Sequence, residues 1–547
     1  MSGHDPERRR RAHGAVVRRH LVTLGLVAGL AALLLFSPKI AAGASSQAAR
    51  PGITPPAGPG TPGTTVAGVA CAPGVRQVPW SAYAPACIPA WHGHNGGATA
   101  NGVTATTITL VYRLAATNEL QELYALIPPT TVGTNDEAVH TMQAYVNTFN
   151  RYFELYGRKV VLRPYNGQGN FITEDTGSGL AQAQADALTV SSTIHGFADM
   201  SLVDSSVVYT AALEARGVAS FGLYLQDASW YRQAAPYQYT TGPNCTKGAG
   251  ALGTVLGTGM SDQPAAFAGD SALRATDRVY GVVYPDNSTA TACAQQLETA
   301  LAAAHHASVV DVGFTFDPAS LVQSSADAVA QLRSHGVTTI ICSSCDPITP
   351  VFLLQAAHAE GYHPEWVFQS YFAGNSVNQD SFVRNELAKS GASDEASGIL
   401  AIGTASVPRV DQEAIRAYEL GNGGSTSGIL PSYPFVYGSM LYFFDLLQAA
   451  GPDLSAQGLH AALADTAALV PSKPGGQLGG WAFGPGTVDP ASDYQILRWS
   501  PTATSAQDGQ QGAFVACDGG KVFGFASAVP SPGAGRVPVH AQPACPS

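Results

Sequence analysis

The sequence predicts an α/β protein made of two Rossmann-like, doubly wound lobes. Three observations predict it. Helical stretches end on glycine and lead within a few residues into β-branched strands. That unit recurs on both sides of an extended connector at 237–243. The chain has 547 residues, too many for one core, so two or three domains are expected.

The first 44 residues read as a separate unit. Arg8, Arg9, Arg10, Arg11, Arg18 and Arg19 form a basic start, followed by an apolar run from Leu21 to Phe36 and the small-residue stretch Ala42-Gly43-Ala44. This is the layout of a signal peptide. The run is shorter than the roughly 20 residues a membrane-spanning helix needs. Cleavage after Ala44 is expected, with an uncleaved anchor as the alternative; either way the rest of the chain is exported. No cysteine follows the run to carry a lipid.

Composition narrows the partners. Hydrophobic residues make up 45% and charged residues 12%, with 59 Gly and 36 Pro, which suits a loop-rich globular chain. The net charge is −11 overall, and about −16 once the basic start is set aside. An acidic body argues against nucleic acid and anionic membrane surfaces as partners. Eight cysteines, at 71, 87, 245, 293, 342, 345, 517 and 545, lie in the exported part and read as disulfides. Sequence leaves their connectivity open, sequential pairing being the simplest pattern.

Residues 45–104 read as a flexible tether, Pro/Gly/Ser/Thr-rich to about 66, and then a leader pinned by Cys71 and Cys87. Strands are expected near 106–114, 158–166, 195–200 and 218–223, and a second set near 278–284, 309–314, 337–342 and 365–370. Between them, Leu155-Tyr156-Gly157, Ala215-Arg216-Gly217, Ser334-His335-Gly336 and Ala359-Glu360-Gly361 close helices, because glycine takes a positive φ without steric cost. Strands alternating with long helices require right-handed crossovers and parallel sheets covered on both faces. Extended segments at 237–243 and 397–402 read as connectors before and after the second set. Residues 105–243 and 372–500 are therefore expected to form lobe 1, residues 244–371 an inserted lobe 2, and residues 501–547 a C-terminal extension. Hinges are expected near 242–246, 371–374 and 403–408.

In such sheets ligands bind beyond the carboxyl ends of the strands. The polar residues there are Asn118 after the first strand, Asp204, Ser205 and Ser206 after the third, and Tyr224 after the fourth. In the second set they are Tyr284, Asp286, Asp346, Gln369 and Tyr371. Asp204→Ala and Ser206→Ala are expected to lower affinity without unfolding the lobe. Enzyme signatures are weak. Cys342-Ser343-Ser344-Cys345 has thiol–disulfide spacing, but it ends a strand and precedes Asp346, whose charge would raise a thiol pKa. A structural disulfide is the better reading. His92, His94, His305 and His306 lack further ligands nearby and read as solvated, so no metal or other cofactor is expected. No nucleophile elbow, P-loop or dinucleotide fingerprint is present in the sequence.

The run from Asn95-Gly96-Gly97 to Val103-Thr104, followed by Thr107-Ile108-Thr109-Leu110, resembles the start of type I periplasmic solute-binding proteins of the branched-chain amino acid class, in particular exported actinobacterial ABC-transporter substrate-binding proteins. Tyr145-Val146-Asn147, Tyr156-Gly157-Arg158-Lys159-Val160 and Asp204-Ser205-Ser206 match the first lobe of that family; Phe316-Asp317-Pro318, Val329-Ala330-Gln331-Leu332 and Gly361-Tyr362-His363-Pro364 match the second. The resemblance covers roughly residues 95–460. It implies a monomeric, non-enzymatic protein whose lobes close on a small polar solute, an amino acid, amide or related molecule, and deliver it to an ABC-transporter permease. In this family's amino-acid binders the loop matching Asp204-Ser205-Ser206 grips the ligand's charged end. The sequence departs from the family pattern at Leu114-Ala115-Ala116-Thr117 and Asn287-Ser288-Thr289, both where an amino-acid head group would be held. An extracellular sensing module and an exported hydrolase or thiol oxidoreductase are the competing readings.

Overall fold

A computed structural model describes residues 52–126, 129–202, 204–222, 225–305, 309–346, 348–369, 379–404, 407, 412–465, 478–526, 531 and 533–546. The expected signal segment therefore lies outside the described residues, as do Tyr224 and Tyr371.

The first strand, β1 (Thr107–Leu114), shows how the pattern becomes a sheet. Its alternation sends Ile108, Leu110 and Tyr112 into one apolar cluster and Val111 into another on the opposite face. The helices α1 (Thr117–Leu126) and α2 (Asn135–Tyr152) follow. A reciprocal cap starts α2: Thr134 Oγ1 accepts from Glu137 N, and Glu137 Oε2 accepts from Thr134 N. The chain continues through β2 (Lys159–Asn166), α3 (Leu180–Leu188), β3 (Ala198–Asp199), α4 (Val207–Glu214), β4 (Ala219–Phe221) and β5 (Gln238–Tyr239). All five strands are parallel, in the order β2-β1-β3-β4-β5.

After α5 (Cys245–Leu252) the grammar repeats: β6 (Tyr280–Pro285), α6 (Ser288–His305), β7 (Val309–Phe314), α7 (Leu321–Ser334), β8 (Thr339–Cys342), α8 (Thr349–Ala359), β9 (Glu365–Gln369), α9 (Gln379–Ser390) and β10 (Ile399–Gly403). The parallel part of this sheet runs β7-β6-β8-β9-β10, the same order as the first. Side chains alternate between its faces. Ile340, Trp366, Phe368, Ile399 and Ala401 pack with α7, α8 and α9. Ile341, Val367, Leu400 and Ile402 pack with α5 and α6. Two doubly wound α/β sheets are present, and glycines 217, 336 and 361 take φ of 75°, 69° and 62° at the expected helix ends.

Four readings differ from expectation. The segments read as connectors at 237–243 and 397–402 contain β5 and β10, the fifth strand of each sheet, because both still find a parallel partner before the chain leaves. The expected split assigns 372–500 to lobe 1, but that stretch is shared. The helices α10 (Gln412–Gly421) and α11 (Tyr433–Ala450) pack on the first sheet, whereas β10 and β11 (Asp493–Thr504) join the second. The boundary at 501 cuts β11, which pairs antiparallel with β10, β12 (Gln511–Ala516) and β13 (Val522–Gly524). The leader, finally, is docked from Thr54 onward, where Thr54 N donates to His94 O and Gly60 N to Cys87 O.

The cysteines pair sequentially: Cys71–Cys87, Cys245–Cys293, Cys342–Cys345 and Cys517–Cys545. Two segments that pass between the sheets clasp each other. Thr240 N donates to Val488 O (3.2 Å), Asn244 Nδ2 to Asp489 Oδ2 (2.7 Å), and Lys247 Nζ reaches Asp489 Oδ1 (2.8 Å) and Ala491 O (2.9 Å).

Candidate ligand-binding site

The carboxyl ends of the two parallel sheets come together. Phe171, just past β2, stacks on Phe316, just past β7, with ring centroids 6.5 Å apart. Leu126 at the end of α1 packs against the core of the second sheet. Gly248 of α5 lies so close to the end of β9 that a Cβ there would sit 1.4 Å from Gln369 Nε2.

On the first sheet this edge is built around Arg113, at the end of β1 and fully buried. Its guanidinium donates to both carboxylate oxygens of Glu174 (2.7 and 3.0 Å), to Asp186 Oδ2 (3.2 Å) and to Asp204 O (2.9 Å). Its Nε lies 2.8 Å from Asp204 Oδ2, and it sits 3.9 Å over the ring of Tyr209. Burial pushes Asp204 up, against the pull of Arg113. Glu119, in the first turn of α1, lies against the same cluster; burial pushes its carboxyl up to about 7. Asp199, at the end of β3, is pushed up by burial to about 6 while it accepts from Ser201 and Tyr209.

This network changes the reading of two expected contacts. Asp204 is wholly buried and committed to Arg113 and to Phe171 N. Ser206 is the N-cap of α4, accepting from Tyr209 N at 3.0 Å and donating to Glu174. Both side chains are turned into the lobe.

Ser205, between them, is different. Its Oγ is buried and has no hydrogen-bond partner among the described residues. The same holds for Gln226 Oε1 after β4, for both polar atoms of Gln369 at the end of β9, and for the hydroxyls of Ser343 and Ser344 after β8. The Cys342–Cys345 bridge closes the turn that presents these serines, and Ser344 takes φ 55°, a left-handed conformation costly for serine. Gln226 and Gln369 belong to different sheets and are linked through α5: Gln226 O accepts from Cys245 N, and Gly248, one turn later, abuts Gln369.

The other expected residues are spread along the edge. Asn118 is exposed in the first turn of α1. The Tyr284 hydroxyl donates to Asp311 (3.3 Å), and exposed Asp286 accepts from Thr315 (3.0 Å). Asp346, in the turn before α8, accepts from Ile348 N and Thr349 N. Sequence reasoning missed Arg113, Glu119, Gln226, Ser343 and Ser344. The cysteine pair flanking the two serines was a signal, but it was weighed for redox chemistry rather than for what the closed turn displays.

No family model matches the chain, and no curated protein matches it. Solved structures do. A solute-binding protein of an ABC transporter from R. palustris, in complex with 4-hydroxybenzoate, is 12% identical with a TM-score of 0.50, covering 74% of this chain and 95% of its own. A fatty acid ABC transporter substrate-binding protein from Thermomonospora curvata is 16% identical with a TM-score of 0.51, covering 82% and 99%. A solute-binding protein from Rhodopseudomonas palustris BisB5, in complex with 3,4-dihydroxybenzoic acid, is 12% identical with a TM-score of 0.50, covering 78% and 99%. The likeness is one of fold, the type I periplasmic binding protein architecture.

Proposed function

We propose that this chain is a non-enzymatic, extracytoplasmic solute-binding protein that captures a small polar molecule between its lobes and delivers it to an ABC-transporter permease. One observation carries the reading. Ser205 and Gln226 at one sheet edge, and Ser343, Ser344 and Gln369 at the facing edge, hold buried polar atoms without partners among the described residues. An unpaired buried polar atom costs about 1–3 kcal/mol, so a cluster of them at two facing strand ends is the pattern expected of a site completed by a hydrogen-bonding solute. Amides and hydroxyls dominate the set, which favours a neutral polar or zwitterionic solute such as an amino acid, an amide or a related molecule. The clasped segments around Lys247 and Asp489 suit hinge closure. Among the described residues no helix is long and apolar enough to cross a membrane. Monomeric action and export by the first 44 residues belong to the same proposal.

The test is mass spectrometry of small molecules released from the purified protein, followed by a thermal-shift panel. A true solute at a hundred times its Kd stabilises by about 2.7 kcal/mol and raises the melting temperature measurably. If no amino acid, amide, sugar or aromatic acid does so, the transport reading fails.

A further inference from the structure

A second cluster lies at the opposite end of β9 from the candidate cleft. His358, in the last turn of α8, Asp394 and Glu395 place one donor atom each within 4.8 Å of one another. His358 Nδ1 lies 3.0 Å from Asp394 Oδ1. That nitrogen is buried, yet its orientation makes no hydrogen bond to the carboxylate or to anything else described. A nitrogen facing a carboxylate oxygen without the alignment of a donated proton is free to share a metal ion with it. His363, in the turn before β9, contacts Glu395 through its own Nδ1, and Trp366 Nε1 approaches the other Glu395 oxygen at 3.4 Å. These two contacts orient a carboxylate that is itself almost fully buried.

We infer that His358, Asp394 and Glu395 form a divalent-cation site of the zinc class, with His363 as the residue that positions Glu395. One imidazole and two carboxylates suit a borderline cation. Ligands about 2.0–2.1 Å from a tetrahedral ion stand roughly 3.4 Å apart, so the 3.0 Å approach of His358 to Asp394 must widen slightly while separations of up to 4.8 Å close around the ion. The side chain of Asp394 is 59% exposed, which leaves the fourth position open to water. The ion would tie the end of α8 to the short helical turn at Glu395–Gly398, which leads directly into β10. Its place is away from the strand ends of the proposed cleft, so it stands whether or not that cleft binds a solute.

Isothermal titration of zinc chloride into the chelator-treated exported chain tests this. One ion per chain is expected with micromolar or tighter Kd, together with a higher melting temperature. Asp394→Asn and His358→Gln should each weaken binding at least tenfold, and a variant lacking His92 and His94 should bind as wild type. Circular dichroism establishes that each variant is folded, which the exposed position of Asp394 favours. Cobalt(II) gives a second readout, a visible d–d band that disappears in Asp394→Asn. Absence of a stoichiometric site in wild type overturns the inference. So does zinc binding unchanged in the Asp394→Asn/His358→Gln double variant, or lost only with His92 and His94.

Discussion

Replacing Arg113 with Met isolates the cluster on which the first lobe's strand ends are built. The substitution keeps most of the apolar stem and removes the guanidinium that holds Glu174, Asp186 and Asp204. Arg113 and all three carboxylates are buried, so no solvent screens what is left behind. Removing one partner of a buried ion pair costs roughly 3–5 kcal/mol, because the orphaned charge must ionise unfavourably or take up a proton. For a lobe of this size each kcal/mol is worth roughly 2–4 °C, so the melting temperature should fall by about 10 °C. Burial already pushes Asp204 up against the pull of Arg113, and without that pull its folded pKa rises further. The penalty is absent when Asp204 is protonated and grows as pH rises, so the deficit should shrink between pH 7 and pH 4.5. Scanning calorimetry of the folded chain at both pH values checks this. A melting temperature within about 2 °C of wild type at pH 7 would refute the assignment of Arg113 as the centre of the network.

Three further outcomes follow. Glu119 has its folded pKa pushed up to about 7, against 4.5 for the free group. Its contribution is therefore complete below about pH 4.5 and is lost as pH rises through 7, a loss of roughly 3 kcal/mol; Glu119→Gln should flatten that part of the stability–pH profile in urea melts, and an unchanged profile would count against it. Opening Cys245–Cys293 by the double Ser variant releases a loop with 48-residue separation, worth about 4 kcal/mol by chain entropy, read as a lower urea midpoint. Ser206→Ala should cost about 1 kcal/mol of stability through the lost cap of α4, and a solute affinity that falls with unchanged stability would restore its role as a ligand contact.

Much of the fold was legible because several helices close on a glycine, at 217, 336 and 361, with a strand following within a few residues. The eight expected strands coincide with β1 to β4 and β6 to β9 within a few residues. Two more, β5 and β10, read as connectors because they are short and stand immediately before the chain crosses between sheets, where an extended segment has the same local pattern either way. The sharing of 372–500 between the sheets was not legible. The antiparallel pairing of β10 with β11 spans nearly a hundred residues and leaves no local mark. At the strand ends, the sheet argument did not give every side chain's role. Asp204 and Ser206 are an ion-pair partner and a helix cap in a cluster whose centre, Arg113, lies 91 residues from Asp204 and reads in sequence as an ordinary strand-end cation. Ser205 and Gln369, named from the same edge, are the two expected contacts left with buried unpaired atoms among the described residues.

The central claim is that a solute is held between the carboxyl ends of the two parallel sheets. Hydrogen–deuterium exchange with and without the solute released from the protein tests it most directly. Slower exchange is predicted in peptides covering Ser205 and Gln226 on one side, Ser343, Ser344 and Gln369 on the other, and the clasp around Lys247 and Asp489 between them. Protection confined to one sheet, or placed at the amino ends of the strands, would contradict the account.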